Sequence, residues 1–485
     1  MISNLRFIII LVGTVFVLNF VSAKAFATVP KGLEEYSKIA DRVTKKFKIS
    51  EDDIGMKVSV GDGEDSHVLW SINATKKMIP ASISKIITAS AVLDVFPPGT
   101  KVKTQLLMDG KVSNRKLKGN LYLKGAGDPG FVSENMWFLV NDFLRNEIDE
   151  IEGDIIVDDS LFDQKRFDDS RQSQRVDRAY DAPVGAMSFN WNSVNIFVRP
   201  GTVGEPAKVF IDPVNSYIQL SNRSKTVAGA RNELIADRDP IKGSDGDRVI
   251  VGGKIGVAVK EITVFKNITE PDLWSGYNLK SFLQQRNISH KGKIRNGVTP
   301  ASADVVAQAE SKPIENMVSD MNKFSNNYVA EMLTKLMATS SEKPASLKTG
   351  VQLINKHLES LKIPKNEYEF YNPSGLTREN QFSANAMWMV LTHLRDDFRV
   401  QPELLTSLPI AGVDGTLKRR LKGEPTERWI RAKTGYLNDV VTLAGYAGRR
   451  DGQVLTFTFI YNGKADEAKV RQYFDELLVE MVKQL

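Results

Sequence analysis

The sequence predicts an α+β fold built on one antiparallel sheet whose strands come from both ends of the chain. Two observations carry this expectation: a strand pair near the start, at residues 55–73, and three more strand patterns between 429 and 461. Helical apolar spacings fill much of the rest. A chain of 485 residues exceeds what one hydrophobic core usually organises, so two or three structural units are expected. With 42% hydrophobic and 26% charged residues, nothing suggests wholesale disorder.

Taken in order, the chain opens with Arg6, an apolar run from Phe7 to Val21, and small residues around Ala23, Ala25 and Ala27. That is the layout of a secretory leader cut after Ala25 or Ala27, giving a signal peptide over 1–27. A membrane span needs about 20 apolar residues, and this run is shorter, so no stable anchor is expected after cleavage. Losing residues 1–27 removes Arg6 and Lys24 and takes the formal charge from +6 to +4. So mild a balance gives no argument for nucleic acid as a partner.

The first hairpin reads as Met56 to Val60, a turn at Gly61-Asp62-Gly63, and Val68 to Ile72. A helical pattern follows at Ile83, Ile86, Ile87, Ala91 and Val95. Pro97-Pro98-Gly99 then opens an insertion expected at 99–310, with strands at 101–108 and 117–124 about the Asp109-Gly110 turn and a helix near 132–148. Residues 206–264 look strand-rich, a possible nested β unit. The sheet resumes with Trp429 to Thr434, Val440 to Tyr446 and Val454 to Tyr461, the last two joined at Asp451-Gly452. Val470, Tyr473, Phe474, Leu477, Leu478, Met481 and Val482 mark a closing one-faced helix that packs on the sheet. The parts outside the insertion, 28–98 with 311–485, would form the catalytic unit.

With no cysteine, thiol catalysis and disulfides are excluded. The four histidines stand apart, without metal-ligand spacings, so neither a metal nor a cofactor is expected. The simplest remaining hydrolase reading is a serine activated by an amine. Ser82 and Lys85 lie three apart at a helix start and so share a face, where a partly desolvated lysine can take a proton from the hydroxyl. Ser325 and Asn327, two apart before a helical run, could relay a proton and hydrogen-bond a peptide. Lys433-Thr434-Gly435 ends a strand: Lys433 offers charge, Thr434 can bind a carboxylate, and Gly435 lets substrate backbone approach.

Each element has imitators. Ser340-Ser341-Glu342-Lys343 also fits S-x-x-K, but it lies before Pro344 in loop sequence. Lys348-Thr349-Gly350 leads into a helical spacing, where Thr349 reads as a cap. Only the copies at 82, 325 and 433 occur in order and in the context their chemistry needs.

On these motifs, and on Gly125-Ala126-Gly127-Asp128-Pro129, Val157-Asp158-Asp159-Ser160, Tyr180-Asp181-Ala182-Pro183 and Ser374-Gly375-Leu376-Thr377-Arg378, the mature chain resembles the class C low-molecular-mass penicillin-binding proteins. These are the D-alanyl-D-alanine carboxypeptidases and endopeptidases of the penicillin-binding protein 4 type. The resemblance implies a β-lactamase/transpeptidase-like domain, with a five-stranded sheet and helices on both faces, and hydrolysis of peptidoglycan stem peptides or cross-links by an exported enzyme, in the periplasm or released outside the cell. Muropeptides would be its substrates and β-lactam antibiotics its covalent inhibitors. It further implies that Ser82 is acylated, Lys85 is its base, Ser325 passes a proton to the leaving amine, Asn327 holds the substrate amide, and Lys433 supplies charge. The N–H groups of Ser82 and Tyr436 would form the oxyanion hole, and Arg378 would face a cross-link carboxylate. Two departures stand out: Tyr436 where such proteins commonly carry Thr or Ser, and Asn372-Pro373 where Asp-Gly is usual.

A β-lactamase or esterase could use the same acylation site. A non-catalytic wall-binding protein could keep the fold. Long retention of a labelled penicillin separates the first reading from both.

Overall fold

The computed structural model describes residues 33–61, 66–171 and 177–483. The expected leader at 1–27 and part of the first hairpin turn lie outside them. The central sheet has five antiparallel strands: β1 (Ile54–Val60), β2 (His67–Ile72), β3 (Ile430–Leu437), β4 (Val440–Gly448) and β5 (Val454–Asn462), in the order β2-β1-β5-β4-β3. β1 pairs directly with β5, from Ile54 opposite Tyr461 to Val60 opposite Leu455, so the two ends of the chain close one sheet. β3, which carries Lys433-Thr434-Gly435, is an edge strand and leaves alternate backbone groups without a partner in the sheet.

Both faces of the sheet are covered, which explains why β4 and β5 are buried along nearly their whole length. On one face lie α1 (Leu33–Phe47) and, last in sequence, α6 (Glu467–Lys483). Val470, Tyr473, Phe474, Leu477, Leu478 and Met481 of α6 are fully buried, each worth roughly 1.5–3 kcal/mol of transfer free energy for the larger side chains. Thr44 and Tyr473 share a hydrogen bond at 2.9 Å inside this layer. On the other face lie α2 (Ser84–Val95), α3 (Ile314–Lys323), α4 (Asn327–Ala338) and α5 (Ala384–Asp396). The central helix α2 is buried almost all round, as its sequence lacks a polar face.

Between α2 and α3 the chain builds a second five-stranded sheet from Lys103–Met108, Leu121–Lys124, Ile155–Asp158, Ile294–Asn296 and Asp304–Glu310. Residues 193–267 carry a three-stranded and a four-stranded sheet, in keeping with the strand-rich reading there. Two local expectations are corrected. The segment 117–124 is two strands in different sheets, Lys116–Lys118 and Leu121–Lys124. The break occurs because the Asp109 carboxylate accepts the Asn120 N–H at 2.6 Å, and Gly119 lies so close to the Asp109 carbonyl that a Cβ would sit 2.1 Å from it. Thr349 is not a cap either; Ser346 caps that helix, its hydroxyl accepting the Thr349 N–H at 3.1 Å.

Arg166 ties two buried carboxylates together, Asp159 after the Ile155–Asp158 strand and Asp272 at the start of the Pro271–Gln284 helix, the latter at 2.8 Å. Burial pushes the Asp159 carboxyl up to about 6 against the pull of Arg166. Arg166→Ala strands both charges out of water and is expected to cost about 3–5 kcal/mol. A clearly lowered melting temperature would show it, and an unchanged one would refute it.

Candidate active site

The sheet itself fixes the approach to Ser82. Asn462, at the end of β5, accepts the Ile79 N–H at 2.8 Å and donates to the Ile79 carbonyl at 3.2 Å. Thr442 on β4 donates to the Pro80 carbonyl at 2.9 Å. Gly435 on β3 is pressed so close that a Cβ there would stand 2.1 Å from Thr442 Oγ1 and 2.9 Å from the Ser82 nitrogen. A glycine is therefore required at that point for the strand to meet the serine.

Ser82 sits in a short 3-10 turn, Ala81–Ile83, that feeds α2. Ala81 has φ +48° and Ser325 has φ +54°. Such left-handed non-glycine residues cost of order 1–3 kcal/mol each and persist only where the surroundings impose them. Ala81 is pinned by Gly375, whose own φ is +72° and where any side chain would strike the Ala81 carbonyl. Ser325 precedes α4, whose N-cap is Asn326, its side chain accepting the Val329 N–H at 3.2 Å.

These turns bring together residues far apart in sequence. Lys85, fully buried, has its Nζ 3.2 Å from Ser82 Oγ, 2.7 Å from Asn327 Oδ1 and 2.5 Å from the Ser374 carbonyl. As an ammonium it donates to all three. Deprotonated, it keeps two N–H donors for the carbonyl-type acceptors and turns its lone pair to the serine hydroxyl, the geometry of a general base. Asn327 also donates to the Tyr180 carbonyl at 3.2 Å, so both ends of its amide are held. Lys433, also fully buried, donates to Ser325 Oγ at 2.8 Å and to the Thr434 carbonyl at 2.7 Å. Desolvation pushes its ammonium down to about 7. Thr434 donates to Thr416 Oγ1 at 2.8 Å.

Two openings meet at Ser325. One is a cleft of about 290 Å³ lined by Ser82, Ser325, Thr434, Gly435 and Tyr436, with Arg420 and Arg471 on its wall. The other is a groove of about 480 Å³ that continues past Ser325 and Asn327 between the aromatic side chains of Tyr180, Trp191, Phe265 and Phe324. Trp191 stands at the tip of a turn in which Asn190, Trp191 and Asn192 all have positive φ. Buried Asn192 holds that turn by donating to the Pro183 carbonyl and Ser188 Oγ, each at 2.8 Å.

Eight of the residues singled out from sequence thus lie in or beside this cleft: Ser82, Lys85, Ser325, Asn327, Lys433, Thr434, Gly435 and Tyr436. Arg378 is not among the residues lining it; it is exposed and donates to the Asn438 carbonyl in the β3–β4 turn. The sequence reading missed the Ser374 carbonyl, Thr416, Arg420 and Arg471. Ser374 falls within the segment Ser374-Gly375-Leu376-Thr377-Arg378 already noted, whereas the two arginines carry no local signal. Asn372 keeps the acceptor an aspartate would supply, its side-chain oxygen accepting the Ser374 N–H at 2.9 Å and the Ser374 hydroxyl at 2.6 Å, and its amide adds a donor to the Asp168 carboxylate at 2.5 Å. This shapes the turn that aims the Ser374 carbonyl at Lys85.

The chain matches the D-Ala-D-Ala carboxypeptidase 3 (S13) family over residues 36–483. It is 28% identical over 426 residues to the D-alanyl-D-alanine carboxypeptidase of Actinomadura sp. (strain R39), covering 85% of this chain and 78% of that protein. The crystal structure of penicillin binding protein 4 (dacB) from Haemophilus influenzae superposes with a TM-score of 0.76 at 24% identity, over 91% of this chain and 99% of that one. Its complex with a β-lactam gives 0.72 over the same shares. Bd3459, a predatory peptidoglycan endopeptidase from Bdellovibrio bacteriovorus, gives 0.52 at 16% identity, over 89% and 92%. The solved structures establish the likeness of fold.

Proposed function

We propose, since this chain belongs to the D-Ala-D-Ala carboxypeptidase 3 (S13) family, that Ser82 is the acylated nucleophile of a serine D-Ala-D-Ala carboxypeptidase and Lys85 its base. The observation that carries these roles is the contact of the buried Lys85 amine with Ser82 Oγ at 3.2 Å, with two further acceptors fixing its direction. The enzyme hydrolyses D-Ala-terminated stem peptides of peptidoglycan and binds penicillins. In the proposed sequence Ser82 Oγ attacks the carbonyl carbon of the penultimate D-Ala while its proton passes to Lys85. The C–N bond then breaks, and the departing amine takes a proton through Ser325, which Lys433 keeps oriented by donating to its hydroxyl. Water afterwards attacks the ester carbonyl, giving one of its protons through Lys85 to Ser82 Oγ as the Ser82–acyl bond breaks and the acid leaves. A β-lactam ring would open onto Ser82 by the same first step and so act as a covalent inhibitor.

The substrate lies outside the cytoplasmic membrane, so the enzyme works after export, which the leader pattern at 1–27 supports. Among the described residues no helix is long and apolar enough to cross a membrane. The aromatic groove beyond Ser325 favours a second activity, cleavage of the D-Ala cross-link between two stems, because it offers room for more than a terminal residue. Mass spectrometry of purified muropeptides tests both. Loss of the terminal D-Ala from pentapeptides is expected, with conversion of cross-linked dimers to monomers if the groove holds the second stem. No change in either would contradict the reading.

A pH dependence follows from Lys433. The depressed ammonium loses its proton above about 7 in the free enzyme, so kcat/KM for an anionic substrate should fall on the alkaline side of that point. A bound carboxylate holds the proton on, so the corresponding limb of kcat should lie at higher pH. A kcat/KM that kept rising well above pH 7 would show that the charged lysine is not needed.

A further inference from the structure

The wall of the catalytic cleft beyond Tyr436 carries two guanidinium groups and, among its described lining residues, no carboxylate. Arg420 follows the Gly415–Leu417 turn, and Arg471 lies in the second turn of α6. They come from separate parts of the chain to one surface. Arg420 is held by Asp475, which accepts from Nε at 3.2 Å and from Nη2 at 2.6 Å. A guanidinium has five N–H donors in a planar fork, so this pairing leaves Nη1 and one Nη2 hydrogen for a ligand. Arg471 pairs with Glu467 one turn back, and its guanidinium stands 5.5 Å above the Tyr436 ring.

The two cations are near enough to feel each other. Desolvation first, and then the charge of Arg420, lowers the Arg471 pKa from its usual value. An anion placed between them would relieve that repulsion and gain charge-assisted hydrogen bonds to both. At this same place the side chain after Lys433-Thr434-Gly435 is a phenol, half exposed, in place of the small hydroxyl that the resemblance leads one to expect. The Tyr436 ring instead serves as the surface under Arg471.

We propose that Arg420 and Arg471, with Tyr436 beneath Arg471, form an anion subsite that receives the free carboxylate of the substrate's terminal residue. This rests on the peptidase reading above and makes the enzyme selective for an acid terminus over a neutral one. The arginines position and select the substrate; they take no part in proton transfer.

The test compares kcat/KM for a diacetyl-Lys-D-Ala-D-Ala peptide and for its C-terminal amide, using the full exported protein. Wild type should favour the acid. Arg471→Ala and Arg420→Ala should each reduce the acid-over-amide ratio by about tenfold to a hundredfold, mainly through a raised KM for the acid. Arg471→Lys, which keeps charge but loses the fork, should fall between. Raising the salt concentration should lower the ratio in unmodified wild type, a measurement that needs no variant to fold. An acid-over-amide ratio that stays the same in both alanine variants, or is insensitive to salt in wild type, would overturn the anion subsite while leaving the peptidase intact. Absence of turnover of both peptides by wild type would overturn the peptidase reading and the subsite with it.

Discussion

Ser82→Ala is expected to lower hydrolysis of D-Ala-D-Ala peptides by about 10⁴-fold or more and to abolish covalent labelling by penicillin. The size follows from the chemistry. The residual machinery, Lys85, Lys433 and the strand edge, can still hold a substrate, but no atom remains at that place to form the ester. Stability should hardly change, because among the described residues the hydroxyl removed bonds only to Lys85, at 3.2 Å, at the long end of hydrogen-bond distances. Unaltered melting with activity gone identifies a nucleophile. Persistent labelling of this variant would place the acylated residue elsewhere.

Lys85→Met is expected to slow acylation by about 10²–10⁴-fold, the usual worth of a positioned general base. The methionine fills nearly the same volume in a fully buried site, so the helix should stay packed. It leaves Asn327 Oδ1 and the Ser374 carbonyl without that donor, for which about 1–3 kcal/mol of stability should be lost. The two variants differ in kind: with Ser82 present, the methionine variant should still collect a penicillin adduct over long incubation. Stopped-flow or time-resolved intact-mass measurements of adduct formation distinguish them. A wild-type labelling rate in Lys85→Met would remove Lys85 from the mechanism.

What the sequence made legible was whatever depends on short-range pattern. Runs of strand-favouring residues bounded by turn signals gave β1, β2 and the strands at 430–462, and a spacing of three and four gave α6, whose buried face follows the helical period. The S-x-x-K and K-T-G motifs could be separated from their copies at 340 and 348 by local context alone, a helix start in one case and a strand in the other. What stayed hidden depends on long-range closure. The Ser374 carbonyl reaches Lys85 across 289 residues, and nothing near position 374 announces a backbone oxygen as part of a catalytic site. The positive φ values at Ala81 and Ser325 are imposed by neighbours such as Gly375, against the preference of alanine and serine themselves. Arg420 and Arg471 look like ordinary surface residues until α6 and the segment after Leu417 fold against β3. The split of 117–124 turned on one side chain, Asp109, competing for a backbone N–H that a continuous strand would have used.

The most direct test of the account is the site of penicillin attachment. Intact-mass analysis after brief incubation should show one adduct per chain, and peptide mapping should put it on the fragment containing Ser82. An adduct on any other residue, or none at a concentration that labels a known penicillin-binding enzyme, would contradict the pairing of Ser82 with Lys85 from which the rest follows.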